Sequence, residues 1–146
     1  MRMIVRAVLV FSLLVGALVS VDAQAGGDDT MTLTKQQANE VIASGKLKRV
    51  KSKSDFPENW RSGMGLTDMA DVNGPFSAGC TGPEPHSRMI AGAVSDHYGL
   101  LIYEVGGIAY FRNLKLYSNE KNGFACVYTE SVDQQRILDI EKKIGK

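Results

Sequence analysis

Residues 88–130 constrain the fold of this chain more tightly than any other stretch. The runs RMIAGAV, LLIYEV, IAYFRNLKLY and FACVYTE are rich in β-branched, aromatic and other apolar residues. They are joined by SDHYG, Gly106-Gly107 and SNEKNG, and each join carries turn chemistry. Strand-length runs separated by turn residues predict a four-stranded antiparallel meander over about 88–130. The Gly106-Gly107 pair suits a two-residue hairpin, whose positive φ values only glycine adopts without strain. That turn would set Val105 opposite Ile108, Tyr103 opposite Tyr110 and Leu101 opposite Arg112. Leu101, Tyr103, Val105, Ile108, Tyr110, Leu114 and Leu116 would then form the core face, with Glu104 on the other. The assignment hangs on the turn, because a one-residue slip exchanges the two faces.

Helix signals flank the meander. Thr34 with Gln37 forms a capping-box pattern, and Leu33 is placed to staple onto Ala38. Ala38, Val41 and Ile42 give a short apolar stripe and Gly45 a stop, so a helix is expected over 35–44. Ser131 with Gln134 repeats the capping pattern before Ile137, Ile140 and Ile144, which predicts a terminal helix over about 132–144. Asp133 near its start and Lys142 and Lys143 near its end suit the helix dipole. Two helices on one face of a meander define an α+β, two-layer domain.

The N-terminus has a different character. Arg2 and Arg6 precede the apolar run AVLVFSLLVGALV, and small residues at Val21, Ala23 and Ala25 fit signal-peptidase cleavage. Residues 1–25 therefore read as a cleaved signal peptide and 26–146 as one small domain. The apolar run is shorter than the ~20 residues of a membrane span, so no span is expected after cleavage. Cleavage would remove two arginines and one aspartate from 17 basic and 16 acidic residues, bringing the mature charge to zero. That balance argues against a nucleic-acid partner. In a periplasmic or secreted chain, Cys80 and Cys126 read as a disulfide. It would close a loop of about 47 residues and contribute roughly 4 kcal/mol by chain-entropy reasoning.

Recognition residues are sought outside the alternating strands. KLKRVKSK concentrates basic charge, with Lys48, Arg49 and Lys51 as anion-facing candidates against the plainer reading of a solvated edge strand. Trp60, the single tryptophan, suits either a recognition anchor or a core plug. Asp55 with Glu58 marks a short helical turn before it. The Gly- and Pro-rich segment 63–87 reads as a long loop, with a possible strand at 76–80, and offers Glu84, His86 and Arg88. Arg112, set by the hairpin on an apolar face, needs a partner, a ligand or an exit to solvent.

Catalytic signals are sparse. His86 and His97 are the only histidines, and no spacing fits a metal site, a nucleophile elbow or a phosphate loop. Neither metal nor cofactor is expected. The residues favour an exported, non-catalytic binding or inhibitor-like protein, immunity-type in one version, that acts on a protein of the envelope or extracellular space. The rivals are a small envelope hydrolase using His86 or His97, and an assembly subunit pairing through a sheet edge. Export is directly testable. Intact-mass analysis of the exported protein should give a start at Gln24 or Gly26, and soluble cytoplasmic protein retaining Met1 would overturn it.

Overall fold

A computed structural model of the chain describes residues 32–79, 81–120 and 123–145. The leader expected over 1–25, Cys80 and Asn122 lie outside the described residues. Five antiparallel strands form one sheet in chain order: β1 Lys48–Val50, β2 Ser87–Val94, β3 Tyr98–Val105, β4 Phe111–Glu120 and β5 Gly123–Ser131. The four strands expected over 88–130 are β2 to β5. The lysine-rich run supplies the added edge strand, with Leu47 and Val50 buried and Lys48 exposed. Three helices accompany the sheet: α1 Lys35–Ala43, α2 Glu58–Gly63 and α3 Gln134–Glu141.

The expected helices form, α1 one residue shorter than 35–44 and α3 shorter at both ends than 132–144. Thr34 and Gln37 make the complete capping box of α1, and Gly45 at φ 71° follows its end. At the other end β5 runs through Ser131, so Ser131 cannot cap. Asp133 caps α3 instead, accepting from Arg136 N at 2.7 Å.

The β3–β4 turn is where structure and expectation part most. Val105 pairs with Phe111, Glu104 with Arg112 and Ile102 with Leu114, so residues 106–110 form a five-residue loop. The glycines serve another purpose than a tight hairpin. Gly106 N donates to His86 O at 2.8 Å and Gly107 N to Ala78 O at 3.0 Å. A Cβ on Gly106 would fall well inside contact distance of the Ser77–Ala78 backbone. The turn is thus opened to dock the 74–86 segment. Leu114 and Leu116 consequently face the same side as Leu100 and Ile102, not Leu101 and Tyr103. Ile108 and Tyr110 leave the core altogether.

Both faces of the sheet are apolar, and each has its own cover. On one, Ala91, Ala93, Leu100, Ile102, Leu114 and Leu116 pack with Ala38 and Ile42 of α1 and with Ile137, Ile140 and Ile144 of the C-terminal segment. The other face buries Met89, Leu101 and Tyr117 beneath Phe56, Trp60, Met64, Leu66 and Met69. The two-layer expectation is therefore only coarsely met, because α2 and residues 64–70 add a second covering. Of the supposed long loop 63–87, the first part is core. Gly92 and Gly99 let aromatic rings lie on the backbone. A Cβ on Gly99 would sit 2.6 Å from Trp60, and one on Gly92 2.7 Å from Phe56.

A polar clamp joins the first covering to the sheet. Glu130 of β5 receives Lys35 of α1 at 3.3 Å and Arg136 of α3 at 2.7 Å, while Tyr128 Oη donates to its second oxygen at 2.6 Å. Arg136 also reaches Asn39 of α1. Burial pushes the Glu130 carboxyl upward, but the Tyr128, Arg136 and Lys35 contacts overcome it and hold the pKa below the usual value. Burial, and then the bond to Glu130, push the Tyr128 phenol up to about 12.

Three predictions follow from this packing and this clamp. Leu101→Ala and Leu114→Ala, from opposite faces, should each cost about 2–5 kcal/mol in denaturant unfolding of the protein. Gly99→Ala should cost about 1–3 kcal/mol by overpacking against Trp60. For Glu130 the folded pKa is depressed. Its contribution is therefore present above the unfolded carboxylate range of about 4.3 and is lost as pH falls through the lower folded value. Glu130→Gln should flatten the acid limb of a stability–pH profile, and an unchanged acid limb would contradict the clamp.

Candidate functional site

The end of the sheet where β2 begins and β3 gives way to β4 gathers the most unusual chemistry in the fold. Residues 74–86 form a loop closed on itself by Ser77 N donating to Pro85 O at 2.9 Å. It is docked on the 106–110 turn by the His86 and Ala78 carbonyls. Beyond that junction the turn displays its apolar residues to solvent. Ile108 is 99% exposed, Tyr110 49% and Phe111 45%. Isolated surface hydrophobes are ordinary, but three within four residues on one braced tip make it a candidate recognition surface.

Behind this tip lies a charged network set by strand register. Arg88 of β2, Glu104 of β3 and Arg112 of β4 are cross-strand neighbours. Glu104 is only 5% exposed, and such a carboxylate needs partners. Arg88 supplies them through Nε at 2.6 Å and Nη2 at 2.5 Å, and Tyr110 Oη donates to the other oxygen. Arg88 is itself steadied by Gly74 O at 3.1 Å and by the Phe76 ring 4.4 Å from its guanidinium carbon. Arg112 Nε donates to Tyr110 Oη and its Nη1 to Gln134 Oε1, each at 2.9 Å. A pocket of about 200 Å³ opens between these groups and Val72 and Asn73.

The sequence candidates fare unequally. Arg88 and Arg112 are brought together, and Glu104, assigned by the two-residue turn to the opposite face from Arg112, lies beside it. Glu84 and His86 are exposed on the same docked loop. Trp60 is withdrawn as a surface anchor. It is 3% exposed, packed on Gly99 and edge-on to Phe124 at 4.9 Å. Of the basic run, Arg49 pairs with Glu141 of α3 at 2.5 Å, while Lys48 and Lys51 remain exposed.

Cys126 is a free, exposed thiol on β5, and its expected partner Cys80 lies outside the described residues. The strand expected at 76–80 is absent from its described residues, 76–79.

His86 and His97 lie at opposite ends of β2, so they cannot act on one substrate group. His97 borders a second hollow of about 1030 Å³ between α1, β1 and the β2–β3 turn. Its rim mixes Lys46 and Lys48 with Glu40 and Asp96, giving no preference for ligand charge. Among the described residues, no group of three or more His, Cys, Asp and Glu side chains is arranged to hold a metal ion. No helix of the described chain is long and apolar enough to cross a membrane.

The exposed tip was the main residue set that sequence reasoning missed. Its signal was the apolar run IAYF directly after two glycines, of which the five-residue turn leaves Ile108, Ala109 and Tyr110 outside the ladder. Compared with family models, curated proteins and solved structures, the chain matches none.

Proposed function

We propose that the mature chain is an exported, non-catalytic binding protein of the inhibitor-like kind, and that it engages a protein partner through the 74–86 loop and the β3–β4 tip. The observation that carries this reading is the exposed trio Ile108, Tyr110 and Phe111 at the β3–β4 tip, whose turn is braced by a second loop. A braced protrusion loses little freedom on binding, and binding energy concentrates in a few aromatic and apolar anchors of this type. Tyr110 adds rigidity, because its hydroxyl is tied to Glu104 and Arg112. A loop projecting from a rigid scaffold is a common carrier of recognition, and it suits entry into a partner's cleft. The signal-like leader supports an envelope or extracellular setting for that partner.

A second reading has one observation of its own. β5 ends the sheet and contains neither lysine nor proline, the residues that commonly protect such edges. Pairing of two copies along β5 would make the protein an assembly subunit, although Leu33 N already binds Val127 O at 2.7 Å on that strand. Concentration-dependent sizing separates this reading from the first.

Affinity capture from the protein's own envelope extract tests the main proposal. Ile108→Asp and Phe111→Ala should weaken capture of the partner at least about tenfold. Thermal unfolding should stay near wild type, because both side chains are exposed. Glu84→Ala and His86→Ala should give smaller losses. Normal binding by all four variants, with loss on substitution of Lys48 and Lys51, would move the site to the basic edge.

A further inference from the structure

Resting on that reading of the recognition end, the geometry points to a pocket there that accepts a carboxylate of the partner protein, either an acidic side chain or a chain terminus. Arg88, Glu104 and Arg112 stand side by side and carry two positive charges against one negative. Glu104 is already satisfied, since Arg88 holds one oxygen and Tyr110 the other. Arg112 is held only by neutral groups, the Tyr110 hydroxyl and the Gln134 carbonyl. Among the described residues it has no ion pair, and its Nη2 makes no hydrogen bond. A guanidinium fixed by neutral acceptors with an edge left open is arranged to receive an oxyanion.

Two amides complete the lining. Gln134 gives its carbonyl oxygen to Arg112, which leaves its NH₂ end as a donor. Asn73, on the opposite wall, is the only non-glycine residue with positive φ among the described residues, at 59°. Its side-chain amide makes no hydrogen bond to another described residue. The nearby acid Asp133 is engaged by Arg136 N and caps α3. The volume of about 200 Å³ suits one carboxylate or phosphoryl group with a few carbons, and falls below the range of about 300–1,000 Å³ typical for whole cofactors or drug-sized ligands. Tyr110 links this pocket to the exposed tip, so an acidic group beside an apolar cleft on the partner would meet both.

The test titrates ¹⁵N-labelled mature protein with sodium acetate, and in parallel with sodium phosphate, against sodium chloride at matched ionic strength. The Arg112 Nε–H and Gln134 side-chain NH₂ signals are followed. Acetate should produce saturable shifts at both groups in about the millimolar range, and chloride should not. Arg112→Gln should weaken acetate binding at least about tenfold with its other amide signals unchanged. Gln134→Ala, which keeps the charge, should weaken it less. Saturation by phosphate alone would overturn the carboxylate assignment in favour of a phosphoryl ligand. Absence of saturable shifts with either salt would overturn the pocket, even with a tip variant that still abolishes capture. Saturation by acetate together with normal capture by the tip variants would sustain the pocket and remove the recognition reading on which it was built.

Discussion

Ile102 faces Leu114 and Leu100 faces Leu116 across the β3–β4 ladder, and this pairing fixes the side on which most of the remaining chain packs. It places four aliphatic side chains under α1 and the C-terminal isoleucines. The same register sets Glu104 against Arg112 and, through β2, against Arg88. A slip of one residue would carry Leu114 and Leu116 to the opposite face and split the charged trio. Docking of the 74–86 backbone on Gly106 and Gly107 holds the register at its open end. One set of backbone contacts therefore positions both the core and the candidate site.

A central strand buried on both sides has consequences for the rest of the domain. β3 sends Leu100 and Ile102 to one core and Leu101 to the other, so neither face can be left to solvent. The first face is covered by two amphipathic helices, clamped to β5 through Glu130. The second is covered by a short helix and an irregular segment that has no regular apolar period. Aromatic rings over Gly92 and Gly99 make that irregular cover fit closely. Burial supplies the main favourable term in such packing.

With both faces and much of the polar chemistry committed to structure, the loop end is the part of the described chain least explained by stability. Ile108 buries almost nothing, and Arg112 meets no carboxylate. The proximity of Tyr110 to each feature makes them one surface in the proposed reading.

The sequence by itself determined the strands β2 to β5, the capped helix α1, the amphipathic C-terminal segment and the α+β class. Each follows from interactions a few residues apart: side-chain periodicity, a Thr34–Gln37 cap, glycine after a helix. It also offered Arg88 as a recognition residue and marked Arg112 as a charge in need of a partner. Only the tertiary structure decided the five-residue turn, and with it the face of Leu114, the exposure of Ile108 and the meeting of Glu104 with both arginines. The turn depends on residues about thirty positions away, whose backbone occupies the glycines. Burial of Trp60 was decided in the same way. A ring that plugs a core and a ring that meets a partner have the same composition, and only the glycine found beneath it tells them apart.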